Sequence, residues 1–277
     1  MRARLLLLLA GLALLLVLPA CAGTADAGRI ALLAPFEGTY AEIGYNALYA
    51  ARLALSESTT DLRLLAVDDG GTPEQAHARY RALQQDSSIR AIMVMGPAAS
   101  GAVLNDASDA GRNAPTIIIG LWSAVPPTLP DNIWMASSPE TIEALAEADF
   151  DLYALAESSS PLLAPDLAGL RAFAALRDDL SGVTLLTDGS PPDGAFAGRF
   201  QASDLYVPVP NHLAGLVFDM TRFLASTDNL PGFMTTRSFP GIAGDIRFQD
   251  GFLADRSPSR FIFDASGQLT ATDDAVE

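Results

Sequence analysis

Four short, mainly apolar runs alternate with segments that carry helix-start signals in the first 120 residues, and this alternation limits the fold more than any other feature of the chain. The runs cover 30–34, 62–67, 91–95 and 116–119. Runs this short, with no regular polar alternation, predict strands buried on both faces. Between them, Thr39-Tyr40-Ala41-Glu42 and Thr72-Pro73-Glu74-Gln75 both read as capping boxes, the second with proline at the first helical position. The helix after the first box places Ile43, Ala47, Ala50, Ala51, Ala54 and Leu55 on one stripe, and the second turns Ala76, Tyr80 and Leu83 inward. A third helix is predicted over 100–111. Strands and helices alternating at this spacing imply right-handed crossovers and a parallel sheet covered on both faces, an α/β fold.

The pattern loosens after 121–130, a stretch with three prolines that is the candidate hinge. Beyond it, helices are predicted from Ser138 through Ala148, over 166–177 and over 211–225, with strands over 150–156 and 183–187. Past Pro240, the segments 242–248 and 260–264 read as short antiparallel strands.

The chain opens with Arg2 and Arg4 before an apolar run over 5–18, which has the flanks and length of a signal-peptide core. That run is short for a spanning helix, which needs about 20 apolar residues. It closes on Leu18-Pro19-Ala20-Cys21, which resembles the lipobox of bacterial lipoproteins. The resemblance implies cleavage before Cys21, lipid attachment to it, a linker over 21–28, and a chain held at the extracytoplasmic face of a membrane without spanning it. An ordinary secretory signal with an incidental cysteine is the alternative.

Charge and composition exclude several classes. Against 33 acidic residues stand 17 arginines and no lysine, a net charge of -16. Such a chain has nothing with which to release phosphate counterions, so no nucleic-acid partner is expected. One cysteine and two histidines leave no material for a disulfide framework or a thiolate or imidazole metal cage, and no cofactor is expected. His77 and His212 read as ordinary. Asp68 and Asp69 could be paired for acid–base work, but a solvated turn before a capped helix is the simpler reading. Nucleophile-elbow, Walker, dinucleotide and zinc-protease motifs are missing from the sequence, so no enzyme is expected.

The segment from Ile30 through Ala34-Pro35-Phe36-Glu37-Gly38-Thr39-Tyr40-Ala41 resembles the opening of the leucine/isoleucine/valine-binding proteins, type I periplasmic binding proteins that feed ABC importers. Asp68-Asp69-Gly70-Gly71-Thr72-Pro73 resembles that family's acidic turn, and Gly96-Pro97-Ala98-Ala99-Ser100-Gly101 its turn after the third strand. Leu216-Val217-Phe218-Asp219-Met220 resembles a late family helix, and Gly241-Ile242-Ala243-Gly244-Asp245-Ile246-Arg247-Phe248 a closing hairpin. The resemblance implies two Rossmann-like parallel-sheet lobes joined by a hinge. Lobe 1 is expected over 29–122 and 188–239, and lobe 2 over 123–187 and 240–277. Lobe 2 is expected to be reduced, since 124–183 lacks further strand–helix units that the family carries there, one of which contacts ligand.

The same resemblance places a ligand between the lobes. Its carboxylate would meet Ala98, Ala99 and Ser100, where a helix start offers free N–H groups, although Ser100 also reads as a plain N-cap. Ser123 and Ala124 would hold the amine at the sheet's carboxyl edge. Trp122 would floor the cleft or simply pack in the hinge, and Tyr40 would line the cleft or lie on the surface. The implied function is a solute-binding lipoprotein of an ABC importer, partnered by a permease and taking a branched-chain or other small amino acid or amide. The alternative is a lipoprotein of this fold that no longer traps ligand and acts as a partner-binding or regulatory module.

Overall fold

The computed structural model describes residues 28–106, 114–130, 132–227 and 238–272. The leader, Cys21 and nearly all of the linker lie outside the described residues. Among the described residues no helix is long and apolar enough to cross a membrane.

The first half builds as its periodicity predicts. Strand β1 (Arg29–Ala34) leads into helix α1 (Ala41–Ser56). Then come β2 (Arg63–Asp68), α2 (Pro73–Gln85), β3 (Ile89–Val94), α3 (Pro97–Leu104), β4 (Thr116–Ile119) and β5 (Ile133–Ala136). Thr72 caps α2 as expected, its hydroxyl accepting the Gln75 N–H at 3.3 Å. The box at Thr39 does not form. Gly38 takes φ +68 and opens a 3-10 turn, so α1 starts at Ala41 and Glu42 is free to reach elsewhere.

The second half departs further. The expected strand over 150–156 is helix α5 (Leu152–Glu157), preceded by α4 (Pro139–Ala144). The Asp151 carboxylate accepts the N–H groups of Tyr153 and Ala154, and Leu152 and Leu155 bury one turn apart. The strand comes later, as β6 (Leu162–Ala164). A 3-10 turn (Asp166–Gly169), α6 (Arg171–Leu176) and β7 (Val183–Thr187) follow, then α7 (Gly194–Ala202) and α8 (Ala214–Ala225). The chain closes with β8 (Phe248–Gln249), β9 (Phe252–Leu253), β10 (Ser259–Phe263) and β11 (Leu269–Ala271).

Two sheets result. The larger has the order β2-β1-β3-β4-β5-β9-β8, parallel except for β8 at its edge. The smaller has the order β11-β10-β7-β6, with β6 and β7 parallel and the others antiparallel. Sheet membership therefore runs past the lobe boundaries expected at 123 and 240, because β5 bonds to β4, and β9 bonds to β5. One continuous apolar cluster joins Ile30 and Leu32 of β1 through Trp122 to Leu167, Phe173 and Val183 of the smaller sheet's side. Apolar packing is thus continuous from one sheet to the other.

Candidate functional site

The carboxyl edge of the larger sheet is shaped by two glycines. Gly96 has φ +90, and a Cβ there would stand 2.7 Å from the Pro35 ring; Gly120 has φ +85, and a Cβ would stand 2.9 Å from Trp122 Nε1. Both positions need the left-handed backbone, and close packing leaves no room for a side chain. They turn the chain into α3 and into the segment after β4, where the sequence places a ligand.

At the α3 start, Ala99 and Ser100 are buried and Ala98 is half-buried. The Ser100 hydroxyl is buried with no hydrogen-bond partner. The helix N-terminus, however, already has a carboxyl group beside it. Asp69 is 1% exposed, and its carboxylate accepts the Gly71 N–H at 2.8 Å and faces the Ala99 N–H. Burial pushes its carboxyl above the usual range, while those two N–H groups work the other way. The expectation of a solvated Asp68-Asp69 turn fails at Asp69, whose side chain turns under the helix start.

At the β4 end, a second internal carboxylate does the same. Asp166 Oδ2 accepts the Leu121 N–H at 2.6 Å. Asp166 Oδ1 accepts the Thr187 hydroxyl at 2.6 Å and lies 2.9 Å from His212 Nε2. Gly169 makes room for that imidazole, since a Cβ there would fall 2.2 Å from His212 Cε1. Trp122 is buried and donates to the Ile119 carbonyl at 2.6 Å, so it packs the junction. Ser123 is half-buried, with its hydroxyl buried and unpartnered, and Ala124 is exposed. The phenol oxygen of the half-buried Tyr40 receives the Leu152 N–H; burial, then Asp151 and Tyr153, raise its pKa. Beside it, Glu42 accepts the Arg171 N–H at 3.1 Å and Arg171 Nε at 3.3 Å.

The passages between the sheets are tied as well. Asp188, just after β7, accepts the Ser138 N–H at 2.9 Å, just after β5. Burial raises the Asp188 carboxyl, against hydrogen bonds from Ser138 and Thr141. Asp219 on α8 accepts the Ile242 and Ala243 N–H groups at 2.9 and 2.7 Å, and Arg256 donates to the Ala243 carbonyl. An open cavity of about 650 Å³ lies beside this knot, lined by Ser138, Glu140, Phe252 and Arg256 among others. Another of about 370 Å³ lies between Pro130, Trp134 and Phe252. Neither is lined by Ser100, Ser123 or Tyr40.

Sequence reasoning missed Asp69, Asp166 and His212. The buried His212–Asp166 pair has half the look of a catalytic dyad, but His212 Nδ1 is buried and meets no hydrogen-bond partner, so no nucleophile stands where a base would need one. Among the described residues no group of three or more His, Cys, Asp or Glu could hold a metal ion.

No protein-family model matches the sequence, and no curated protein matches it. Solved structures do match in fold. An extracellular ligand-binding receptor from Desulfohalobium retbaense superposes with a TM-score of 0.64 at 15% identity, over 89% of this chain; the chain spans 59% of that receptor's length. A branched-chain amino acid transporter substrate-binding protein from Streptococcus pneumoniae, in complex with isoleucine, gives 0.64 at 14% identity, over 89% of this chain and 100% of that one. A solute-binding protein of an ABC transporter from R. palustris, in complex with benzoate, gives 0.61 at 15% identity, over 88% of this chain and 95% of that one. The fold is that of the type I periplasmic binding proteins. Two of these structures of the same fold hold a small ligand, isoleucine in one and benzoate in the other.

Proposed function

We propose that this chain is an extracytoplasmic, lipid-anchored protein of the solute-binding fold that serves as a partner-binding or regulatory module and does not trap a solute between lobes. The observation that carries the reading is the Asp166 carboxylate on the Leu121 N–H, seconded by Asp69 beneath α3. The Asp69 carboxyl faces the Ala99 N–H, one of the donors expected for a ligand carboxylate, and the Asp166 carboxylate takes up the Leu121 N–H two residues before Ser123. Opening is costly too. Hydrogen bonds to charged groups contribute about 1.5–3 kcal/mol each, and Asp166 reaches across the junction both to the Leu121 N–H and to His212. A ligand must supply about 5.5 kcal/mol of differential affinity to swing a two-state hinge from 1:99 to 99:1. A shared apolar core adds to that demand.

The second reading is solute binding for an ABC permease, with a small amino acid or amide between Ser100 and Ser123. It is favoured by their two buried, unpartnered hydroxyls and by the ligands of the neighbouring structures. Thermal melts with amino acids, small amides and benzoate separate the two. A ligand at 100 times its dissociation constant adds about 2.7 kcal/mol. No shift is expected; a shift of several degrees with any of them overturns the first reading and establishes the second.

A further inference from the structure

The loop between α7 and α8 presents Leu205 and Tyr206 side by side, 84% and 80% exposed. Large apolar side chains displayed this way on an ordered loop call for a partner. The loop is held at both ends: Phe196 and Phe200 of α7 are buried, Val207 packs against the core and Pro210 is buried.

Its position in the fold says what the partner is. Strand β1 begins at Arg29, and α1 runs back antiparallel to it, so Glu57 after α1 lies at the sheet edge where β1 starts. Arg199 of α7 pairs with Glu57 at 3.0 Å, and α7 ends three residues later, directly before the loop. Arg90, at the start of β3, reaches the Thr227 carbonyl past the far end of α8 at 2.9 Å, and the Asn211 N–H meets Asn46 near the start of α1 at 3.0 Å, so the loop crosses to the other edge and Leu205 and Tyr206 lie in its half next to α7. The edge where β1 starts receives the chain from Cys21. Seven residues lie between Cys21 and Arg29, and the eight steps from one to the other span at most about 29 Å when fully extended.

We propose that Leu205 and Tyr206 insert into the interfacial layer of the bilayer to which Cys21 tethers the chain, as a second, non-covalent contact that sets the protein's orientation. The proposal rests on the lipid-anchor reading. A tyrosine beside an aliphatic side chain suits the boundary between headgroups and acyl chains, and stable anchoring commonly combines two signals. The net charge of -16 makes a zwitterionic lipid surface the fitting probe.

The test uses the full chain isolated from bacterial membranes and reconstituted into phosphatidylcholine vesicles with brominated acyl chains. Tyr206→Trp is compared with Tyr153→Trp, an exposed position beside Tyr40 at the opposite sheet edge. The intact mass of the cleaved chain reports lipid on Cys21. With lipid present, tryptophan at 206 is expected to be quenched at least twofold more strongly than tryptophan at 153; equal quenching overturns the proposal and leaves the loop to a protein partner. If the cleaved chain carries no lipid, the anchor reading fails on its own, and sedimentation of that chain with the same vesicles decides the loop. A tenfold or greater loss of partitioning in the Leu205→Ser, Tyr206→Ser double variant upholds the insertion. No partitioning of the parent chain, or none lost in the variant, overturns it.

Discussion

Asp166 Oδ2 and the backbone nitrogen of Leu121 stand 2.6 Å apart, although 45 residues separate them in the chain. This bond places a carboxylate of the smaller sheet's side on the first donor beyond the β4 turn. It ties the two sheets together at their junction. Replacing Asp166 with alanine leaves the Leu121 N–H, the Thr187 hydroxyl and His212 without their shared acceptor. Removing one member of such a buried network costs about 3–5 kcal/mol. Urea melts of Asp166→Ala are expected to lose that much. Asp166→Asn, which keeps one acceptor oxygen, is expected to lose about half.

The bond between Glu42 and Arg171 crosses the same junction and is expected to matter far less. The Arg171 side chain is 84% exposed, and solvent-exposed ion pairs contribute about 0.2–1 kcal/mol. Urea melts of Glu42→Ala are expected to fall within about 1 kcal/mol of the parent. A loss near that of Asp166→Ala would show that the closure depends on its rim rather than its interior.

Three buried carboxylates give stability a definite slope with pH. Burial raises the pKa of Asp69, Asp188 and Asp219 above the usual range. Each therefore holds its proton in the folded state at a pH where the unfolded chain has lost it. Their ionisation penalises the fold above the raised pKa values, and the penalty disappears as pH falls through them. Asp68 runs the other way. Burial would raise it, but the Phe36 N–H, Arg79 and the Gly70 N–H together hold its carboxyl low. Its contribution is present above the unfolded pKa and is lost as pH falls through the lowered one. Melting temperatures are expected to rise as pH falls through the raised values of these three carboxyls and to collapse only at stronger acid, where Asp68 takes up its proton. Asp188→Asn should flatten that rise; an unchanged rise would assign it to other groups.

How much of this was legible depends on the distance over which each residue finds its partner. The β1–α1–β2–α2–β3 succession rests on local periodicity, and the Thr72 cap spans three residues, so both could be read directly. The segment over 150–156 is apolar enough to pass for a strand. Only the Asp151 side chain, turning back onto the Tyr153 and Ala154 N–H groups, makes it a helix. Asp69 could be seen as acidic but not as buried, because what covers it is the start of a helix almost thirty residues on. Asp166, Thr187 and His212 carry no shared pattern at all. They meet because β6, β7 and the approach to α8 bring them together, and nothing within a local window encodes that meeting.

The backbone at Gly120 gives a further test of the junction. Its φ of +85 puts it where a side chain strains the chain, and a Cβ would stand 2.9 Å from Trp122 Nε1 and 3.0 Å from Leu213 Cδ1. Trp122 cannot yield easily, since its Nε1 is held by the Ile119 carbonyl at 2.6 Å, and the ring is buried in the cluster that joins the two sheets. Strain of this kind costs about 1–3 kcal/mol. Gly120→Ala is expected to lose that much in urea melts and to loosen the Leu121–Asp166 bond beside it, seen as faster hydrogen exchange at the Leu121 amide. Gly38 shares the positive φ, but its Cβ would meet nothing within 4 Å, so Gly38→Ala carries the backbone strain without the clash. Equal losses in the two variants would mean that backbone conformation alone sets the cost. A larger loss at Gly120, with faster exchange at Leu121 only there, would tie the packing of Trp122 to the closure of the junction.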